Sequence, residues 1–116
     1  MELEEPGITA IAVNPEDIGI DSWKEVAALG PFGNGNPAPI FYAPRRKGDR
    51  FLPLGRDGRH LQIETEGTRL LAFNGKEALE SAHAPEGWLY RPRLDYWQGR
   101  ERLQYVMDYV VVDELP

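Results

Sequence analysis

Between Leu29 and Phe41 the chain places three glycines, three prolines and two asparagines within thirteen residues. Prolines lack the donor that helices and inner strands need, and glycines raise the entropic cost of ordering the backbone. No regular element runs through such a stretch, so the chain must build on either side of it. That leaves a leading extension, residues 1–30, and a longer segment, residues 31–116, that has to supply its own core.

The extension reads as strand, then helix. Ile8 to Val13 is apolar and β-branched. Asn14-Pro15-Glu16-Asp17 is a turn or a short helical start, with proline where a first turn tolerates it. Ser22-Trp23-Lys24-Glu25 has capping-box spacing and predicts a short helix, ended by Gly30 and Pro31, with Trp23, Val26 and Ala27 or Leu29 facing the core.

The longer segment is punctuated quite differently. Ile40-Phe41-Tyr42 and Phe51-Leu52-Pro53-Leu54, either two strands or the ends of one bent strand, flank Arg45-Arg46-Lys47-Gly48-Asp49. Asp57-Gly58 is a hairpin signal. His60 to Glu64 alternates, with Leu61 and Ile63 on one face, and Glu66-Gly67 turns the chain into a strand over Arg69–Phe73. Asn74 caps a helix reaching Ala82, with Glu77 three residues on and Pro85 beyond the end. Trp88 to Leu94 is a strand interrupted by Pro92, as at an edge or bulge. Gln98-Gly99 closes a hairpin into a final strand along which Leu103, Tyr105, Met107, Tyr109 and Val111 alternate. The order is β-β-β-α-β-β behind the extension: a mainly β chain, α+β only at its start. A barrel, a sandwich and an α+β roll all use these elements. Trp88 and Trp23 are expected in the core.

With 116 residues the chain fits one domain. It has no cysteine, which excludes disulfides and thiolate metal sites and suits a reducing compartment. Its acidic start, Met1-Glu2-Leu3-Glu4-Glu5, is unlike a secretory signal, and no apolar run approaches a membrane span. A cytoplasmic location is therefore expected. The net charge of −6 argues against indiscriminate affinity for nucleic acid, but it is unevenly spread: −6 over residues 1–30, +4 over 31–60 and −4 over 61–116.

Catalytic chemistry finds no foothold in the sequence. The two histidines, His60 and His83, have no second ligand at metal-binding spacing, and Ser22 or Ser81 offers no more than any globular chain does. The cations and exposed-type aromatics are the better candidates. Arg45, Arg46, Lys47 and Arg50 lie on or beside the first strand; Arg56, Arg59 and His60 follow at the next loop; Gln62 lies on the second strand; Trp97, Arg100 and Arg102 surround the last turn. Single-stranded nucleic acid needs cations along its backbone path and flat faces for its bases, and these residue types supply both. Each also has a plainer reading: Trp97 as packing, His60 as a satisfied strand histidine, and the Arg45-Arg46-Lys47 run as a solvated loop or a clamp on an acidic neighbour.

Three blocks carry a resemblance, in order. They are Leu29–Phe41, then Gly55-Arg56-Asp57-Gly58-Arg59-His60-Leu61-Gln62-Ile63, then Leu94-Asp95-Tyr96-Trp97-Gln98-Gly99-Arg100-Glu101-Arg102-Leu103-Gln104, with Leu71-Ala72-Phe73-Asn74 between the last two. Together they resemble the C-terminal OB-type domain of RecJ, the single-stranded-DNA-specific exonuclease of the DHH phosphoesterase superfamily. The resemblance implies a five-stranded OB-type Greek-key barrel over residues 31–116, with a helix between strands 3 and 4. It implies a non-catalytic module excised from a 5′-to-3′ exonuclease of recombination and repair, whose Mn2+ or Mg2+ is held elsewhere, since the superfamily's Asp-His-His and Gly-Gly-His motifs are absent and no cofactor is expected in this chain. It points to the loop and strand residues above as contacts for single-stranded DNA. It implies a structural loop at Gly30, Pro31, Phe32, Gly33, Gly35, Asn36 and Pro37 that docks the barrel onto the nuclease's catalytic domains. Gln62 departs from the lysine common there, and Glu64 and Glu66 add nearby negative charge, so weak affinity is expected. The alternative is a protein-interaction or architectural domain of the same enzyme, docking for example the acidic tail of a single-stranded-DNA-binding protein.

Overall fold

The computed structural model describes residues 2–5, 8–28, 39–82 and 85–112. The Gly/Pro loop and His83 therefore lie outside the described residues. Eight strands join one mixed sheet: β1 (Glu2–Glu5), β2 (Ile8–Ala12), β3 (Ile40–Pro44), β4 (Arg50–Leu54), β5 (His60–Thr65), β6 (Thr68–Ala72), β7 (Pro85–Trp97) and β8 (Arg100–Val112). Helix α1 (Ile20–Ala27) precedes β3 and helix α2 (Gly75–Ser81) lies between β6 and β7.

The strand order is β1-β2-β3-β7-β8-β6-β5-β4, with β2–β3 and β6–β8 parallel and the other pairs antiparallel. The sheet curls. Phe51 on the β4 edge meets Trp88 on β7 edge-to-face at 5.7 Å, although β8, β6 and β5 separate those strands in the order. Phe41, Ile63, Leu70, Trp88, Tyr90 and Met107 thereby share one core. A smaller cluster, Ala10, Tyr42 and Leu89, covers the outer side of β2-β3-β7. This arrangement is consistent with an OB fold.

Five strands were expected over residues 31–116, and the described residues there form six, β3 to β8. The first strand is two: β3 pairs with β7 and β4 with β5, and the turn over residues 45–49 lets each half find a different partner. The extension contributes β1 and β2 as well.

Other local expectations shift for identifiable reasons. Helix α1 begins at Ile20, three residues earlier than a cap at Ser22 implied. Gly19 is its N-cap, and Ser22 reaches back, its Oγ accepting from Gly19 N–H at 3.1 Å and donating to Gly19 O at 3.0 Å. Trp23 and Val26 are half-buried and Ala27 is exposed. Asn74 caps α2, but by backbone: it adopts φ 58°, and its N–H donates to His60 Nδ1 at 2.9 Å. Pro92 does not interrupt β7, because β3 pairs only as far as Tyr90 and the missing donor falls where β7 has lost that neighbour. The alternation along β8 breaks at a bulge: Leu89 pairs with Tyr109 but Tyr90 with Met107, leaving Asp108 extra. Met107 stays in the core while Tyr109 is 53% exposed.

The turn chemistry holds. Glu66-Gly67 (φ 47° and 78°) and Gln98-Gly99 (φ 50° and 75°) have positive φ at both central positions, as type I′ hairpins require.

The segment between β2 and α1 plugs one end of the curl. Tyr90 Oη donates to Val13 O and Tyr105 Oη to Ile18 O, the latter at 2.6 Å, while Ile18 enters the core. Burial raises both phenols above the ordinary tyrosine range. Arg46 grips Glu16 with two bonds of 2.6 and 2.7 Å, which lowers the Glu16 pKa. Lys24 reaches Glu101 at 2.5 Å.

Candidate nucleic-acid interface

The outward face of β5, β6 and β8 carries a cleft. β6 and β8 pair at only two positions, Leu70↔Tyr105 and Leu71↔Val106, and then separate toward Thr68 and Leu103. The gap is a cleft of about 440 Å3, lined by Gln62 of β5, Arg69 and Leu71 of β6, and Arg102, Gln104 and Tyr105 of β8. Alternation puts these polar side chains outside because Leu61, Ile63 and Leu70 point inward. A 250 Å3 cleft lies across β8 on the same face, where Arg91 and Arg93 of β7 stand over Val106 and Asp108. Arg91 holds Asp108 through two bonds of 2.7 and 3.2 Å, and Arg93 donates to Gln104 Oε1 at 3.0 Å.

Of the residues singled out in the sequence, the fold brings Gln62 and Arg102 into the main cleft. Gln62 Nε2 donates to Glu64 Oε1 at 3.4 Å. Arg102 donates to Asp95 Oδ2 at 3.1 and 3.3 Å, lowering the Asp95 pKa, and its guanidinium lies 5.6 Å from the Trp97 ring centroid. Trp97 is 55% exposed beside Tyr96, at 66%, near the tip of the β7–β8 hairpin, where Arg100 is also exposed.

Arg56 and Arg59 are exposed on the loop between β4 and β5; Arg59 bonds Asp57 at 2.8 Å. His60 accepts from Asn74 N–H, which puts the proton of the neutral ring on Nε2, and meets Phe73 edge-to-face at 5.7 Å. Arg50 stands 3.8 Å from Glu64. Arg45, Arg46 and Lys47 line a separate cleft of about 360 Å3 with Asp49. Arg45 lies 5.9 Å from the Phe51 centroid, and Arg46 is committed to Glu16. The structural-loop residues from Gly30 to Pro37 lie outside the described residues.

Arg69 and Gln104 are cleft residues that sequence reasoning missed. The available signal was parity: Arg69 alternates with Leu70 as Gln62 does with Leu61 and Ile63. Among the described residues no group of three or more His, Asp and Glu is placed to hold a metal ion, and no helix is long and apolar enough to cross a membrane.

Comparison with curated proteins gives no match. Comparison with family models gives one described as the RecJ OB domain, aligned over residues 9–109. That alignment spans β2 through most of β8, including every lining residue of the main cleft. The chain belongs to the RecJ OB domain family.

Proposed function

We propose that this chain is the non-catalytic OB module of a RecJ-like 5′-to-3′ single-stranded-DNA exonuclease of recombination and repair, and that it holds the single strand on the outward face of β5, β6 and β8. With β3 and β4 taken as halves of one strand, the strand order supports a five-stranded Greek-key barrel over residues 31–116 with α2 between its third and fourth strands. The carrying observation is the 440 Å3 cleft with Gln62, Arg69, Arg102 and Gln104, on the strands that OB folds use for oligonucleotides. The loop bearing Arg56 and Arg59 and the hairpin tip bearing Trp97 and Arg100 flank it. Arginines neutralise phosphates, and Trp97 supplies a stacking surface of about 1–3 kcal/mol per base with little sequence preference. In this reading the Mn2+ or Mg2+ serves the parent enzyme's catalytic domains. The setting is cytoplasmic.

The test is fluorescence anisotropy with a labelled single strand of about a dozen nucleotides, at two salt concentrations, with matched duplex as control. Salt-sensitive binding to the single strand that Arg69→Glu and Arg102→Glu abolish supports the reading; no binding by the wild type at low salt refutes it. The cleft at Arg45, Arg46 and Lys47 supports a second reading, docking of an acidic protein tail. It predicts that Lys47→Glu weakens an acidic peptide and leaves the oligonucleotide unaffected.

A further inference from the structure

The register aligns residues from four strands in one row. Glu64 of β5 is opposite Arg69 of β6. Leu70 is beside Tyr105, so Arg69, one step earlier in the same direction, falls level with Gln104 of β8. Gln104 is opposite Arg93 of β7 and accepts its hydrogen bond at 3.0 Å. The row Glu64–Arg69–Gln104–Arg93 thus crosses the outward face perpendicular to the strands. Gln104 lies between the two clefts and lines the larger of them, while Arg93 lines the smaller.

Charge along the row is unevenly compensated. Beyond Glu64 the register continues to Arg50 of β4, which pairs with Glu64, and Gln62 also holds that carboxylate. Arg102 and Arg91 are neutralised by Asp95 and Asp108. Among the described residues, Arg69 and Arg93 pair with no carboxylate, and the partner of Arg93 is a neutral amide. The strands that carry Arg69 and Arg93 are separated in the sheet order by β8 alone.

We infer that a bound single strand does not stop at the main cleft but crosses β8 onto β7, where Arg93, positioned by Gln104, takes a further phosphate. This inference rests on the proposed function and extends its contact surface beyond the β5–β6 face and the two loops. Asp108, on the same parity of β8 as Gln104 and Val106, stands on this face and neutralises Arg91, so Arg93 is the cation of β7 left for a phosphate.

The test compares thymidine oligonucleotides of about four and about twelve residues, a range spanning single-barrel site sizes, on the wild type, Arg93→Gln and Arg91→Gln. The wild type should bind the longer strand more tightly. Arg93→Gln, which keeps a donor for Gln104, should weaken the longer strand about 5-fold or more at low salt and leave the shorter one unchanged. It should also reduce the log–log salt slope by about 0.7, one phosphate contact. Arg91→Gln should change both affinities less. A wild type that binds the long strand, with Arg93→Gln showing the same affinity and slope, overturns this inference and leaves the proposed function standing. A wild type that binds neither strand overturns both. Thermal melts of each variant identify any loss that comes from unfolding.

Discussion

Gly87 lies on the seam where β7 meets β3, and an alanine there tests how tightly that seam is closed. A Cβ at Gly87 would fall 2.7 Å from Tyr42 Cε1 and 2.8 Å from Tyr42 Oη, and would collide with the carbonyl oxygen of Ala43. These contacts are roughly 0.7 Å or more short of the ~3.5 Å optimum for non-bonded atoms. The tyrosine ring has some freedom to swing, at the cost of its 3.4 Å bond to Glu86 O. The Ala43 carbonyl has little, because it belongs to a strand paired on both sides, with β2 and with β7. Relief requires the two backbones to separate, so the cost lies at the upper end of overpacking, about 3 kcal/mol. With an unfolding entropy of about 2.1 cal/mol/K per residue over 116 residues, this lowers Tm by about 12 °C. Gly48→Ala is the control: no atom lies within 4 Å of its would-be Cβ and its φ is not positive, so it should be neutral or stabilising by up to about 1 kcal/mol. Scanning calorimetry and urea denaturation of both variants measure the difference. If Gly87→Ala melts within about 3 °C of the wild type, the seam is looser than the geometry says and the steric reasoning is refuted.

The remaining tests bear on the plug and on α2. Arg46 depresses the folded pKa of Glu16, so their pair contributes stability above the ordinary Glu pKa of 4.5 that is lost as pH falls through the lower folded value. The urea midpoint of Glu16→Gln should therefore trail the wild type at neutral pH and converge on it in acid; a gap independent of pH would contradict this. Burial raises Tyr90 and Tyr105 above 10, so the fold favours their neutral forms and should lose stability as pH rises past 10. Tyr90→Phe strands the Val13 carbonyl and should cost about 1–2 kcal/mol at neutral pH while flattening the alkaline loss, read by denaturation at several pH values. His60→Ala frees the Asn74 N–H at the start of α2 and should cost about 1 kcal/mol by the same measurement; a neutral result would show that water serves as well.

What could be read from the sequence was what local chemistry decides. Glu66-Gly67 and Gln98-Gly99 announce their turns because few other residues take positive φ at two successive positions. The core positions Leu61 and Ile63 follow from alternation, and Trp88 was expected inside and is fully buried. What was lost depends on partners distant in sequence. The run from Leu103 to Val111 alternates through the bulge without a break, because a bulge is a property of the pairing with Leu89 and Tyr90. Whether Ile40–Tyr42 and Phe51–Leu54 are two strands or one stays open until β7 and β5 take one each. The site shows the same division. Gln62 and Arg102 came from motif blocks, whereas Arg69 lies in a strand whose neighbour β8 is reached only after α2 and the whole of β7. His60 and Arg46 illustrate the converse: residue type suggested ligand contact, and the fold gives each of them a partner within the protein.

The two-position pairing of β6 with β8 also bears on how the molecule comes apart. β4, β5 and β6 form one run of tight-turned antiparallel strands, and β7 with β8 forms another, so both are rich in local contacts and suited to early formation. The β6–β8 junction joins these runs by the shortest ladder in the sheet and closes late, and local opening should begin there. The main cleft lies across that junction, with Gln62 and Arg69 on one run and Arg102 and Gln104 on the other. A strand bound in the cleft therefore fastens the two runs together. Because it binds only the closed form, at one hundred times its dissociation constant it adds about 2.7 kcal/mol, and amide exchange at Leu71 and Val106 should slow first.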